Sequence, residues 1–272
     1  MGGIIVKEKI GFVGAGNLAE AIIKGLTNSQ SPEIRMTDRF QDRLLKLQQI
    51  YGAIPATLEQ VVLESDIIII AVKPKDMVDV MGEIKKLAFA GKLLISVAAG
   101  ISLGIIEKHL PGAAVVRIMP NTACAVLESV TGMVKGSQVS EEQAKSAAGI
   151  FATVGKVLWL EEHKMNALTA ISGSGPAYYY LFTELLLKAG IELGLSEEEA
   201  EILVCQTLIG AGHMVAQSGK TPGRLREEVT SPNGTTFAAL QVFTQAGLGE
   251  IIFKAAEAAA RRGEEMAKEY AG

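Results

Sequence analysis

The chain is poor in the residues that build metal, redox and nucleic-acid sites. It carries two cysteines and three histidines in 272 residues. Cys124 and Cys205 lie far apart and form no C-x-x-C motif, which argues against a disulfide framework and a dithiol redox centre. They read as small core residues of a reducing compartment. His109, His163 and His213 lack metal-ligand spacing and read as surface or helix residues, so no metal is expected. There is no excess of positive charge: the formal net charge is -4, which speaks against nucleic acid as a partner. Long apolar runs are absent too. The longest, such as residues 67–72, are far too short to span a bilayer. The opening MGGIIVKEK lacks the basic region and the longer apolar run of a signal peptide. Val6 stands where a myristoylation pattern needs serine or threonine. Together these absences predict a cytoplasmic protein with no membrane and no nucleic-acid partner. Hydrophobic residues, by contrast, make up 49% of the chain, ample for one large core or two smaller ones.

The first positive signal is near the N-terminus. The short apolar strand KIGFV (9–13) runs into Gly14-Ala15-Gly16-Asn17-Leu18-Ala19 and then into a helical pattern. This is the G-x-G-x-x-A form of the dinucleotide turn. Gly14 permits the tight turn, Gly16 lets backbone approach a pyrophosphate, and Ala19 allows close helix–strand packing. A second strand, EIRMT (33–37), follows and ends at Asp38-Arg39. The reading is a nicotinamide or flavin dinucleotide site, against a plain tight strand-to-helix turn.

Strands and helices alternate from there to about residue 160. Apolar strands at 67–72, 92–98 and 114–119 end in Lys73-Pro74, Ala99-Gly100 and Pro120-Asn121. Two more, at 130–134 and 156–160, flank a helix at 141–154. Continuous apolar strands between amphipathic helices predict an α/β domain with a Rossmann-like, doubly wound, mostly parallel sheet covered on both faces. Ligands of such sheets bind at the carboxyl ends of the strands. Lys73 is a cofactor contact or a simple strand end, and Asn121 is placed to face a nicotinamide. After Lys164 the pattern is helical only, which divides the chain into a dinucleotide-binding domain, 1–163, and an all-α domain, 164–272. Helices are expected at 165–193, interrupted at Ser172-Gly173-Ser174-Gly175-Pro176, and at 197–217, 236–244 and 248–270. The glutamates at 197–199 read as a solvated helix start. The apolar faces of this half, with Leu181, Leu185, Leu186, Ile202 and Leu203, are wide enough to require a partner surface, unless the half is a compact monomeric bundle.

The least ordinary stretch is VTSPNGTTFAAL (229–240). Ser231 is expected to cap the incoming helix, with Pro232 in its first turn. Asn233 and Gly234 allow unusual backbone angles. The outcome is a cluster of free N–H groups flanked by the hydroxyls of Thr235 and Thr236, suited to a carboxylate or phosphate. The alternative is a well-capped helix after a loop.

Read in order, the motifs are G-A-G-N-L-A (14–19), A-V-K-P (71–74), S-V-A-A-G (96–100), R-I-M-P-N-T (117–122), S-G-S-G-P-A-Y (172–178) and the stretch from about Pro222 through Leu240. With these in place the chain resembles pyrroline-5-carboxylate reductases, enzymes of the last step of proline synthesis, over essentially its full length. The resemblance implies hydride transfer from NADPH, with NADH also accepted, to L-1-pyrroline-5-carboxylate, giving L-proline. It implies that Thr236 is the catalytic hydroxyl at the imine nitrogen. Ser231, Gly234, Thr235, Thr236 and Ser174 would bind substrate. The cofactor would be held by Gly14, Gly16, Asn17 and Leu18, by Asp38 and Arg39, by Ala71, Val72, Lys73 and Pro74, and by Val97 and Asn121. It further implies that the helical half is a dimerisation domain. The assembly would be a homodimer, or a higher oligomer built from dimers, with each site shared between subunits. Three departures stand out. Asn233-Gly234 replaces the usual Gly-Gly, and Leu58 replaces an asparagine found in many members. Asp38-Arg39 replaces small polar residues. An acid there favours a free ribose 2′-OH and an arginine accommodates a 2′-phosphate, so the choice between NADPH and NADH stays open.

Overall fold

The computed structural model describes residues 8–29 and 32–271. The N-terminal residues 1–7, read above for a leader or an acylation pattern, lie outside the described residues. In chain order the first elements are β1 (Ile10–Val13), α1 (Asn17–Ser29), β2 (Ile34–Thr37), α2 (Gln41–Tyr51), β3 (Ile54–Pro55), α3 (Leu58–Glu64), β4 (Ile67–Ile70), α4 (Met77–Ile84), β5 (Leu93–Ser96), α5 (Leu103–His109), β6 (Ala114–Met119), β7 (Ser129–Lys135), α6 (Glu141–Ala152) and β8 (Gly155–Trp159). The eight strands form one sheet in the order β3-β2-β1-β4-β5-β6-β7-β8. Every pairing is parallel except that of β6 with β7.

The isoleucine run of β4 shows why the sheet is covered on both sides. Successive side chains point to opposite faces. Ile67 and Ile69 join Phe12, Met36, Ile95 and Val116 under α1, α2 and α6. Ile68 and Ile70 join Val13, Leu94 and Val115 under α3, α4 and α5. A doubly wound sheet follows from that division, as expected. Capping boxes at Thr57/Gln60 and Ser140/Gln143 set the starts of α3 and α6. Cys124 is buried in the first core, and that burial pushes its thiol pKa up, so it behaves as a small core residue. Cys205 is only partly buried.

The antiparallel β7 redirects the chain. After β8 the segment 162–174 runs back along β6. Glu162 meets Arg117, Leu168 packs where a Cβ on Gly132 would stand, and Gly173 closes on Met119. This segment holds a short helix, α7 (Met165–Leu168), and a π-helical turn over Thr169–Gly173, where Ser174 N–H donates to the Thr169 carbonyl at 2.8 Å. The interruption expected at 172–176 is therefore a wide turn continuous with helix on both sides.

Beyond it come α8 (Gly175–Glu192), α9 (Glu197–Gln217), α10 (Pro222–Glu228), α11 (Thr235–Gln245) and α12 (Leu248–Ala271). Packing separates residues 175–257 as one compact unit from a second made of 8–174 and 258–271. The boundary expected at 163/164 thus differs from this division in two ways. Segment 162–174 packs with the sheet, and the end of α12 does too, with Met266 and Tyr270 against Gly100. In the helical unit Phe182 and Phe243 pack with ring centroids 6.3 Å apart. Among its described residues only Gly175 and Ala200 are buried.

Among the described residues Arg117 is the one buried arginine, 6% exposed, and its guanidinium donates to a carboxylate oxygen of Glu162. The same oxygen accepts the N–H of Leu103, the first residue of α5, at 3.2 Å. One carboxylate therefore ties β6, α5 and the returning segment together. Glu162→Ala leaves a buried cation without a partner. The expected loss is about 2–4 kcal/mol of unfolding free energy in urea melts. A loss within experimental scatter would mean that solvent already compensates Arg117.

Candidate active site

The turn from β1 into α1 is built on a backbone conformation that only glycine takes easily. Gly14 has φ +100°, and a Cβ there would stand 2.6 Å from the Ala71 carbonyl oxygen. The next residue is held through both of its flanking peptides. Ala15 N–H donates to Asp38 Oδ2 at 2.6 Å, and Arg43 Nε donates to the Ala15 carbonyl at 3.1 Å. Gly16 differs: a Cβ there would meet nothing within 4 Å, so its face is open. The first helical bond of α1 runs from Glu20 N–H to the Gly16 carbonyl, which leaves the first-turn N–H groups without helical acceptors. An open glycine face above such N–H groups suits a pyrophosphate.

A cleft of about 680 Å³ opens here. Of the residues expected to touch the cofactor, Gly14, Gly16, Asn17, Asp38, Arg39, Ala71, Val72 and Lys73 line it. Leu18, Pro74, Val97 and Asn121 do not. Leu18 and Val97 are partly buried and pack against the core. Pro74 opens a 3-10 turn, Pro74–Asp76. Asn121 follows β6, where its side chain accepts from Ala123 N–H at 3.2 Å and donates to Ser172 Oγ at 3.4 Å. That contact brings the Ser172–Ser174 motif to the carboxyl edge of the sheet. Ser174 itself is half-buried at the end of the π turn, a kind of irregularity frequent at functional sites.

Sequence reasoning missed several cleft residues. Arg43 lines the wall and also donates to Asn17 Oδ1 at 3.2 Å and pairs with Glu20. Asp76, Asp79 and Glu83 line the opposite lip, spaced to share one face of α4 and the turn before it. Leu58, noted as a departure, also lines the cleft.

The start of α11 corrects one expectation. Ser231 does not cap this helix, and Pro232 is not in its first turn. The helix begins at Thr235, with Gly234 as N-cap and no side-chain cap. The cause is Asn233, whose φ of +59° turns the chain before the helix can start. Gly234 packs closely on Ser231: a Cβ there would fall 2.3 Å from Ser231 Oγ, so the serine side chain would have to turn away. Its N–H is already given to the Ser231 carbonyl at 3.0 Å. The N–H groups without helical acceptors belong instead to Thr235, Thr236 and Phe237. Thr235 is exposed and Thr236 half-buried.

Two family models match. "NADP oxidoreductase coenzyme F420-dependent" covers residues 9–100, and "Pyrroline-5-carboxylate reductase dimerisation" covers residues 162–266. With the glycine cradle and the doubly wound sheet, these define the class: an oxidoreductase built from a Rossmann-type dinucleotide domain and a helical dimerisation domain. Similarity to individual proteins narrows it. Pyrroline-5-carboxylate reductase 2 of Bacillus subtilis (strain 168) is 40% identical, over 97% of this chain and 97% of the relative. A structure of a pyrroline-5-carboxylate reductase from Coxiella burnetii superposes with TM-score 0.91 at 37% identity, over 96% of this chain and 98% of that one. The Plasmodium falciparum pyrroline carboxylate reductase, solved with NADP bound, gives TM-score 0.86 at 30% identity, over 97% of this chain and 100% of that one. The chain belongs to the pyrroline-5-carboxylate reductase family.

The open face of Gly16 yields a direct test. Gly16→Val puts a branched side chain where the pyrophosphate would lie, and beyond the chain neighbours no protein atom stands within 4 Å of the new Cβ. Thermal melting should stay close to wild type while fluorescence titration shows no cofactor binding. Near-normal cofactor affinity in this variant would remove the cleft as the dinucleotide site.

Proposed function

We propose that this protein reduces L-1-pyrroline-5-carboxylate to L-proline with NADPH, NADH also being accepted, as a cytoplasmic enzyme. The observation that carries the reading is the glycine cradle over the open first turn of α1, set in a chain of this family. The cofactor fits because the cradle has free N–H groups, an open face at Gly16 and a cleft continuing to Asp38 and Arg39. Gly14, Gly16, Asn17 and Leu18 would hold the pyrophosphate through backbone. Asp38 and Arg39 would meet the adenosine ribose, the 71–74 turn would flank the dinucleotide, and Val97 and Asn121 would serve the nicotinamide end. When bound, the reduced nicotinamide supplies the hydride.

The protein's own contribution is orientation. The first-turn N–H groups of α11 at Thr235 and Thr236 hold the substrate carboxylate, aided by the helix dipole, with Ser231, Gly234 and Ser174 completing the pocket. The Thr236 hydroxyl hydrogen-bonds the imine nitrogen. The imine carbon gains the hydride, the C=N double bond becomes single, and the nitrogen keeps its proton as the ring amine. A substrate that arrives protonated needs no strong general acid, consistent with the absence of a histidine from the assigned residues.

In the proposed assembly, domain 1–163 of one subunit and helices of 164–272 of the other form each site, in a homodimer or a larger ring of dimers. Support comes from the helical unit, where Tyr179, Tyr180, Leu181, Leu185 and Phe253 are each more than half exposed. A surface that apolar is typical of an interface.

Turnover is followed by cofactor absorbance with pyrroline-5-carboxylate beside other cyclic imines and hydroxyacids. Failure to turn over the first while reducing one of the others would overturn the substrate assignment. Thr236→Ala should bind cofactor normally and turn over roughly ten- to a hundredfold more slowly, the worth of one hydrogen bond at the reacting atom. A wild-type rate would leave Thr236 as a helix residue only. Mixed dimers formed by co-refolding Gly16→Val with Thr236→Ala should each regain up to about half the activity of one wild-type dimer, because one of their two shared sites is then intact. No recovery despite confirmed subunit exchange would place each complete site within one chain.

A further inference from the structure

The charged residues of the cleft are unequally committed. Asp38 holds the turn: Oδ2 accepts from Ala15 N–H at 2.6 Å and Oδ1 from Phe40 N–H at 2.9 Å. Arg43 holds it too, through the Ala15 carbonyl, Asn17 and Glu20. Arg39 is different. It stands just past the end of β2, takes no part in the turn, and reaches across the cleft to Asp76, with Nη2 2.8 Å from Oδ2. Asp76 sits on the lip after β4, in the turn that leads into α4, and Asp79 and Glu83 extend the same acidic wall.

The end of β2 is where a dinucleotide's adenosine ribose and its 2′ substituent lie in this fold. A 2′-phosphate arriving there needs a cation. Arg43 is tied to the turn through Nε and Nη2, and Lys73, which also lines the cleft, follows β4, two strands from β2. The cation at the end of β2 with no part in the turn is Arg39, and Arg39 is already held by a carboxylate. A ribose with a free 2′-OH makes no such demand.

We propose that Asp76 is a specificity-determining residue that narrows the preference for NADPH over NADH by competing with the 2′-phosphate for Arg39. The inference rests on the dinucleotide reading of the cleft. Binding NADPH requires the Arg39–Asp76 pair to open and brings the phosphate up to an acidic wall. Binding NADH leaves the pair closed. Asp76 makes no side-chain cap to α4, so neutralising it removes the competitor without unfastening the helix.

The test is equilibrium titration by protein fluorescence with NADPH and NADH, with thermal melts as the folding control. In Asp76→Asn the NADPH affinity should rise about three- to tenfold relative to NADH, the range expected for an exposed ion pair plus one phosphate–carboxylate repulsion. Asp76→Ser should do the same, and Asp76→Glu, which can keep the pair, should restore the wild-type ratio. In an Arg39→Ala background, Asp76→Asn should change the ratio less than about twofold. An unchanged ratio in both neutral variants overturns the proposal. So does an equal gain with Arg39 absent, which would mean plain repulsion with no competition. A wild-type protein that binds neither cofactor would instead overturn the reading of the cleft on which the proposal stands.

Discussion

The backbone of Ala15 is the fixed point of the sheet unit. Gly14 bends the chain into a conformation that side chains resist, and the following N–H and carbonyl are each held by a charged side chain from the β2–α2 region. Fixing that backbone aims α1. Aiming α1 places its open N–H groups over the cleft and buries Ile22, Ile23 and Leu26 on the sheet. The same two side chains, Asp38 and Arg43, also wall the cleft. Structure and binding surface are thus one construction, and charges that look available for a ligand are already in use. Only a few remain free to respond to what binds.

The second constraint acts through β7. A sheet that stayed parallel to its last strand would need a crossover after β6. The antiparallel turn instead lets the chain leave β8 and climb back along β6, from Glu162 beside Arg117 to Ser172 beside Asn121. The π turn fits this climb, because one widened turn shifts the helix face and lets Gly173 approach Met119 closely. A motif that in sequence reads as an interruption is, in three dimensions, the place where α7 and its π turn meet the strand edge.

How much of this could be read from the chain alone depended on whether the signal was local. Strand β6 matches its expected span residue for residue, and so does α9, because apolar run and cap both lie within the segment. The run at 67–72 is shorter as a strand, since after Ile70 the backbone turns along the cleft. Strand β3, two residues at the sheet edge, and the short α10 carry too little pattern to be seen. Ser231 satisfied every local rule for a cap, yet one left-handed residue at Asn233 moved the helix start past it. Arg43, Asp76, Asp79 and Glu83 were missed for another reason. They come from segments far apart in sequence, and their convergence on one cleft is a property of the strand order that no spacing records.

The helical unit has an uncommon feature: two buried residues and a long series of half-exposed aromatic and aliphatic side chains. A domain normally finishes its core before it meets anything else. Here no core is complete within residues 175–257, so in the proposed dimer the solvent-exclusion step of folding falls to association. Folding and assembly then obey one mass-action law. For a dimer each tenfold dilution removes about 1.4 kcal/mol from the apparent stability. Such a chain is kept folded in part by its own concentration. In a cell, the rate of its synthesis becomes a term in its stability.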